Sequence, residues 1–557
     1  MDYSPIYALA EDFSFRDALL VDVSLALLAH LILNRFEPHA IPVLTVLLII
    51  HPVIATLLLL SHVSTLASLG IAFGVYHATL LSSIAFYRVS PFHPLARYPG
   101  PVLLKLSSLW VYEMGISGKR HLVIQKMHEQ YNSEVIRIGP NELSFRNASS
   151  ISQIMGTQGL PKGPAYDGRT SYSKIKPLIA WRDASIHAQR RRSWTRGMST
   201  SALKEYEPAL AERITQLVDG LLNSRGETTD MVEWLRFFSY DFMGDMAFGG
   251  VSDLMRNGDV HGQMRALRTG IDSAIIVETF PWLTRYVASG VSKLRASAAV
   301  QARKRLTKED PRRDLFYYLN NDDGADPVSP PISTVTAEAM LVTLAGSDTT
   351  SGTLSSILYL LMRHPHIYKR LQAEVDTFYP RGENALGTMF HVEMSFLDAV
   401  INEALRLYPV ILSGSQRATQ GEGKVVDSHY IPPHTSVRSH TWSIHRDPRN
   451  FYPSPDDFWP ERWLIAENPS SYKDTTFIHN ANAFIPFSFG PSNCVGKNLA
   501  MKEMKMVLCH LLQQVNIRFA EGYNPDTWDD HIKDYFTLEV GQLPVIVTPR
   551  GAMTEAR

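Results

Sequence analysis

The sequence predicts a mainly α-helical domain with small β-sheets, preceded by helices that enter a membrane. Three observations predict it. Apolar runs crowd the N-terminal segment, helical periodicity dominates from about residue 122 to 372, and strand-like runs such as 134–138 and 424–430 are short and few. The 557 residues suffice for a large core, and 45% apolar with 20% charged residues excludes a disordered, collagen-like or purely membrane-embedded chain. With 54 Lys+Arg against 55 Asp+Glu the net charge is −1, which removes the basic field of a dedicated nucleic-acid binder; no nucleic acid partner is expected. Two cysteines, Cys494 and Cys509, exclude a disulfide scaffold and suit a reduced, cytosol-facing compartment.

The apolar runs cover 18–33, 41–60 and 66–86. A helical span needs about 20 apolar residues, so the second and third are long enough, whereas the first is short and carries Asp22; one to three transmembrane helices are expected. A cleaved signal peptide fits badly, because Asp2, Glu11 and Asp12 stand where a basic leader would be. Arg88, Arg97 and Lys105 follow the third run, so the bulk of the chain should face the cytosol. That topology leaves the glycosylation sequon Asn147-Ala148-Ser149 unused.

Residues 91–101 (PFHPLARYPGP) form a stiff Pro/Gly hinge. The expected organisation is a membrane-anchor region 1–88, a hinge 89–102 and a globular domain 103–557. Within the domain, 320–331 (NNDDGADPVSPP) is a polar surface loop.

The segment with the clearest chemistry is FIPFSFGPSNCVGKNLA, in which Phe487, Gly490 and Gly496 frame Cys494. Glycines at these positions let backbone bend around a sulfur and aim N–H groups at it. This segment resembles the haem-binding loop of the cytochromes P-450, and its wording is most like fungal microsomal members. The resemblance implies the cytochrome P-450 fold and haem b, with Cys494 supplying the thiolate axial ligand to iron and Phe487 lying against the porphyrin. Cys509, in an apolar helical stretch, is the ordinary buried cysteine.

The family usually places Arg or His two residues before the cysteine to pair with a haem propionate, and this chain has Ser492 there. His187 and Arg191, spaced i, i+4, resemble the family's C-helix propionate motif, and Arg417 resembles its strand arginine. The stretch 336–362, which contains Ala345-Gly346-Ser347-Asp348-Thr349-Thr350, resembles its I helix. There a Gly/Ser pair permits a local kink, and Asp348 with Thr349 forms an acid–alcohol pair able to relay protons. Glu403 and Arg406 resemble its Glu-x-x-Arg pair, joined by Arg462 as a structural triad.

No Gly-x-Gly-x-x-Gly follows a strand, and 115–120 lacks phosphate-loop spacing, so electrons are expected from a partner, an NADPH–cytochrome P-450 reductase. Lys497, Lys502, Lys505, Arg190, Arg192 and Arg196 are its candidate docking face. The segments 175–181, 410–412 and 536–538 match the family's substrate-contact regions and are apolar, which implies a lipophilic small-molecule substrate, by analogy a terpenoid or other secondary metabolite. The expectation is a monooxygenase of the endoplasmic reticulum membrane, in contact with membrane lipid. The rival readings are a reductase-independent haem-thiolate isomerase or dehydratase, and a non-catalytic haem sensor.

Overall fold

The computed structural model describes residues 13–168, 175–224, 226–250, 252–272, 274–283, 286, 291–307, 313–472 and 476–551. Two compact units divide the chain, Met1–Ser107 and Ser108–Arg557.

The first unit contains three helices, α1 (Phe15–Phe36), α2 (Ile41–Leu59) and α3 (Thr65–Val89), each long and apolar enough to cross a membrane. The first is longer than its apolar run. A capping box starts it early, with Ser14 Oγ accepting from the Asp17 N–H at 3.2 Å while the Asp17 carboxylate takes the Ser14 hydroxyl at 2.7 Å. Asp22, the residue that counted against this span, is fully buried. In α2, Pro52 has no N–H to continue the α ladder, and a π turn over Val46–Ile50 precedes it, with the His51 N–H reaching the Val46 carbonyl. Polar pairs join the helices: His30 Nδ1 lies 2.6 Å from Ser83 Oγ and His51 Nδ1 lies 3.2 Å from Tyr76 Oη.

The second unit is mainly helical, as expected. A four-stranded sheet is built from β1 (Val135–Gly139), β2 (Glu142–Phe145), β3 (Arg417–Ala418) and β4 (Ser436–Ser439) in the order β1-β2-β4-β3. Strands β2 and β4 pair in parallel, Leu143 opposite Val437, and the other pairs are antiparallel. The helices that position the site are α4 (Ala184–Gly197), α5 (Met231–Phe248), α6 (Ile332–Arg363), α7 (Ser395–Leu407) and α8 (Lys497–Gln514). The 320–331 loop ends where α6 begins at Ile332. Helix α6 runs through the core, and α5 lies so close to it that a Cβ on Gly346 would sit 2.1 Å from Met243 Sδ.

Candidate active site

The Cys494 loop is closed by two short backbone bonds. The Cys494 N–H donates to the Phe487 carbonyl at 2.9 Å, and the Asn493 N–H to the Gly490 carbonyl at 3.0 Å. Gly490 has φ +73°, and a Cβ there would lie 2.1 Å from the Met155 carbonyl, so only glycine fits that position. Gly496 differs from expectation. Its φ is −84°, and a Cβ would make ordinary contact with the sulfur at 3.9 Å, so it is not needed for a strained bend. Its contribution is its N–H: the sulfur accepts from the backbone N–H of Gly496 and of Lys497, the first residue of α8.

Burial by the surrounding protein pushes the Cys494 thiol up, although those two N–H groups, Arg191 and Lys497 all pull it down. The residue nevertheless keeps accessible surface. Exposure decides whether a metal can reach the sulfur, and a metal ion outweighs the neutral-protein balance by deprotonating the thiol outright. The Phe487 ring lies beneath Lys497, with Nζ 5.8 Å from its centroid.

Beside the loop is a cluster of cations. Arg191 donates from Nη1 to the Asn493 carbonyl at 2.7 Å and from Nη2 to Asn493 Oδ1 at 2.6 Å, clasping α4 to the residue before the cysteine. Arg417 is 5% exposed, and its Nε has no hydrogen-bond partner among the described residues. Across an isolated antiparallel bridge from Arg417 stands Lys162, also buried. Like charges set side by side are unfavourable without an anion, and an unpaired buried guanidinium N–H costs about 1–3 kcal/mol. These residues therefore fit a group that brings carboxylates, as the propionates of a haem do. His187 lies in the same cluster, but burial, then Lys162, Arg191 and Arg417, lower its pKa to about 4. With only cations around it, its imidazole is held towards the neutral form, in which it offers a hydrogen bond. Lys162 supplies a cation that no sequence motif indicated.

Glu403, Arg406 and Arg462 are all fully buried. Arg406 grips Glu403 in a two-pronged pair, Nη2–Oε1 2.8 Å and Nε–Oε2 2.9 Å, and Arg462 Nε donates to Oε1 at 2.9 Å. The Trp459 N–H and the Trp463 indole complete the carboxylate, each at 3.0 Å. Burial alone would raise the Glu403 pKa, but the two arginines outweigh it and hold the carboxyl below its ordinary range.

Helix α6 is continuous in assignment through 345–350. The hydroxyls of Ser347 and Thr349 donate to the i−4 carbonyls of Thr343 and Ala345, both at 2.6 Å, a pattern that accompanies local bending of a helix. Ala345 is exposed in the middle of this otherwise packed helix, which places the Thr349 hydroxyl beside accessible surface. Asp348 accepts from the Thr537 side chain. Burial raises its pKa, and Thr537 and Arg236 oppose the rise. Two of the three apolar segments meet here, since the Leu538 N–H donates to the Val410 carbonyl at 2.7 Å. The third, 175–181, reaches the same helix through Glu338, whose Oε2 accepts from the Leu178 N–H at 2.9 Å.

The expected basic face is smaller than its six residues. Arg196 pairs with Asp323 and Asp326 at 2.7 and 2.9 Å, Lys502 with Glu207, and Lys505 with Asp398 at 2.7 Å. Arg190, Arg192 and Lys497 have no ion pair among the described residues.

Comparison with known proteins gives the family. The family model described as Cytochrome P450 matches residues 97–534. The chain is 32% identical over 493 residues to the cytochrome P450 monooxygenase notG' of Aspergillus versicolor, covering 86% of each chain. It is 33% identical over 490 residues to the cytochrome P450 monooxygenase FCK2 of Fusarium pseudograminearum, covering 85% of each. It is also 30% identical over 487 residues to tryprostatin B 6-hydroxylase of Aspergillus fumigatus, covering 85% of this chain and 84% of that one.

Proposed function

Because this chain belongs to the cytochrome P450 family and is a monooxygenase, an oxidoreductase holding haem through a cysteine thiolate, we propose that Cys494 is that thiolate and that a lipophilic substrate is oxidised beside it. The overall reaction balances as R–H, O2, NADPH and H⁺ giving R–OH, water and NADP⁺. The haem, when bound, supplies the oxygen-activating redox chemistry. The residues of the chain bind, orient and deliver protons.

The observation that carries this reading is the Cys494 sulfur. It belongs to a residue that keeps accessible surface, it accepts two backbone N–H groups at a helix N-terminus, and it faces Arg191. Arg191, Arg417 and Lys162 would pair the propionates, with neutral His187 donating a hydrogen bond. Phe487, Gly490 and Gly496 shape the loop, and the Glu403–Arg406–Arg462 triad holds the fold behind it. Asp348 and Thr349 stand where a proton can pass from a buried carboxyl to a hydroxyl at accessible surface. The test is the carbonyl complex of the reduced protein. The wild type should show the band diagnostic of a thiolate-ligated haem, and Cys494→Ser should abolish it. Retention of the band in Cys494→Ser overturns the assignment.

Electrons come, in this reading, from an NADPH–cytochrome P450 reductase docking on Arg190, Arg192 and Lys497. Residues 1–88 form the membrane anchor, 89–102 the hinge and 103–557 the haem domain. Arg35 ends α1 and Arg88 ends α3, whereas Asp2, Glu11 and Asp12 precede α1. Three crossings put both arginines on one side, which the positive-inside rule makes the cytosol, with the acids opposite. The membrane is that of the endoplasmic reticulum. Fungal relatives that include a tryprostatin B 6-hydroxylase support a secondary metabolite as the substrate class.

A further inference from the structure

Glu338 is 5% exposed on α6, about three turns before Thr349. Its Oε2 collects two donors from different elements: the Leu178 backbone N–H at 2.9 Å and the Trp194 indole N–H of α4 at 3.2 Å. Among the described residues it makes no ion pair, so both partners are neutral. The Leu178 N–H heads a short 3-10 turn, Leu178–Ala180, where a backbone donor has no partner within the turn. The carbonyls of the same turn are held from the other side: Lys162 Nζ donates to Ile179 O at 2.8 Å and to Leu178 O at 3.4 Å. One stretch of backbone is thus fixed through its N–H by a buried carboxyl and through its carbonyls by a buried ammonium.

A bare turn of apolar residues has no reason to stop at one place against α6, because apolar contact is non-directional. Two hydrogen bonds converging on one oxygen give it direction. The same carboxyl is bonded to Trp194 of α4, the helix whose Arg191 clasps Asn493, so the turn is registered to both walls of the site. We propose that Glu338 is a positioning residue, which sets the 175–181 segment against α6 and α4 and so fixes the outline of the pocket that an apolar substrate must fit. This rests on the reading of 175–181 as a substrate-contact segment.

The charge state of the group follows from its surroundings. Burial raises the Glu338 pKa to about 7, against the pull of the Leu178 N–H, the Trp194 indole, Arg190 of α4 and Lys162. Ordering the segment around a carboxyl whose pKa is raised takes up a proton. The hold is therefore firmest below about pH 4.5, the ordinary value, and is lost as pH rises from there to about 7. Glutamine mimics the neutral acid, with a carbonyl oxygen left to accept both donors.

The experiment uses the full-length holoenzyme and two probes, clotrimazole as a bulky apolar ligand of the haem and imidazole as a small one, with amide hydrogen exchange of the 175–182 peptide. Glu338→Ala should raise exchange there about tenfold and weaken clotrimazole about tenfold, with imidazole unchanged. Glu338→Gln should keep the protection and the clotrimazole affinity, and should lose the pH dependence of both between about pH 4.5 and 7. Unchanged exchange in Glu338→Ala overturns the role of Glu338. Raised exchange with unchanged clotrimazole affinity keeps the tether but overturns the assignment of the segment to the pocket wall. If Glu338→Ala does not fold, a wild-type pH dependence in Glu338→Gln overturns the proposal by itself.

Discussion

Arg406 and His445 exchange two hydrogen bonds: Arg406 Nη1 donates to the His445 carbonyl at 2.8 Å, and His445 Nδ1 lies 3.1 Å from the Arg406 carbonyl. The other ring nitrogen, Nε2, accepts the Ile485 N–H at 3.0 Å. Only the Nδ1–H tautomer satisfies both contacts. Ile485 begins the segment that leads to Cys494, so one neutral imidazole ties the buried triad to the loop. Burial, then Arg406, lowers the His445 pKa to about 3. A His held neutral in the fold but free to protonate when unfolded loses stability for the fold as pH falls. The loss should begin near pH 6.5 and grow until about pH 3. His445→Asn keeps a donor but loses one of the two contacts. It should lower the melting temperature and flatten the acid limb of the stability curve, both read by thermal melts across pH.

Glu403 supplies the only carboxylate paired with Arg406 and Arg462 among the described residues, and all three are fully buried. Glu403→Gln should therefore destabilise by about 3–5 kcal/mol, because it leaves two buried guanidinium groups uncompensated. The measurement is chemical denaturation with haem content followed in parallel. A loss below about 1 kcal/mol would mean that water enters and screens the arginines.

Arg191→Ala removes two bonds to Asn493 and a positive charge facing the Cys494 sulfur. Haem content should fall, and the reduction potential of the protein that retains haem should drop, because a thiolate with fewer favourable charges around it donates more strongly to iron. Arg191→Lys keeps the charge but not the forked geometry, so it should rescue the potential better than the haem content.

The three N-terminal helices predict a topology that labelling can read. A cysteine at His39→Cys, between α1 and α2, should react with a membrane-impermeant maleimide in sealed microsomes. One at Ser64→Cys, between α2 and α3, should react only after the vesicles are opened. Carbonate should not extract the full chain. Equal labelling of both positions in sealed vesicles would leave α1 as the single span.

How much of this was legible in the sequence follows from how local each signal is. The Cys494 loop and the Glu403/Arg406 spacing lie within one turn or one loop, so their residue types alone mark them. The apolar helices of the first unit were legible too, as one to three spans; the capping box of Ser14 and Asp17 lengthens α1 beyond its apolar run and makes three of them long enough to cross a membrane. Lys162, Glu338 and His445 act through partners far along the chain, Arg417, Leu178 and Ile485 among them, and no spacing records such pairs. The packing at Gly346 is equally unrecorded, since the space of its missing Cβ is taken by Met243 of α5, far along the chain. Charge counting likewise overstated the basic face, since Asp323, Asp326, Glu207 and Asp398 reach it from other segments.

The Asp348–Thr349 pair separates the monooxygenase from an isomerase or a sensor. The Asp348 carboxyl is enclosed, its pKa is raised, and it accepts from the Thr537 side chain, whereas the Thr349 hydroxyl donates to Ala345 O beside accessible surface. A proton moving between them needs Thr349 to release the Ala345 carbonyl, a side-chain rotation that costs about one neutral hydrogen bond, 0.5–1.5 kcal/mol. Thr349→Ala removes the acceptor of that proton but leaves the loop, the triad and the apolar segments intact. Haem content and clotrimazole binding should stay as in the wild type, and NADPH should still be consumed in the presence of reductase. Product per NADPH should fall by up to about 10²-fold, with the electrons appearing as hydrogen peroxide, or by less where water takes the place of the hydroxyl. Asp348→Asn should lower the rate of NADPH consumption itself, because it removes the proton source and not the final donor. Thr537→Val should act in the same direction and more weakly, by removing the hydrogen bond that Asp348 accepts from Thr537. An isomerase would turn over without NADPH in every variant, and a sensor would turn over in none. Unchanged coupling in both Thr349→Ala and Asp348→Asn, with full haem content, would take the proton relay away from this helix and leave the thiolate loop as the only part of the site assigned to chemistry.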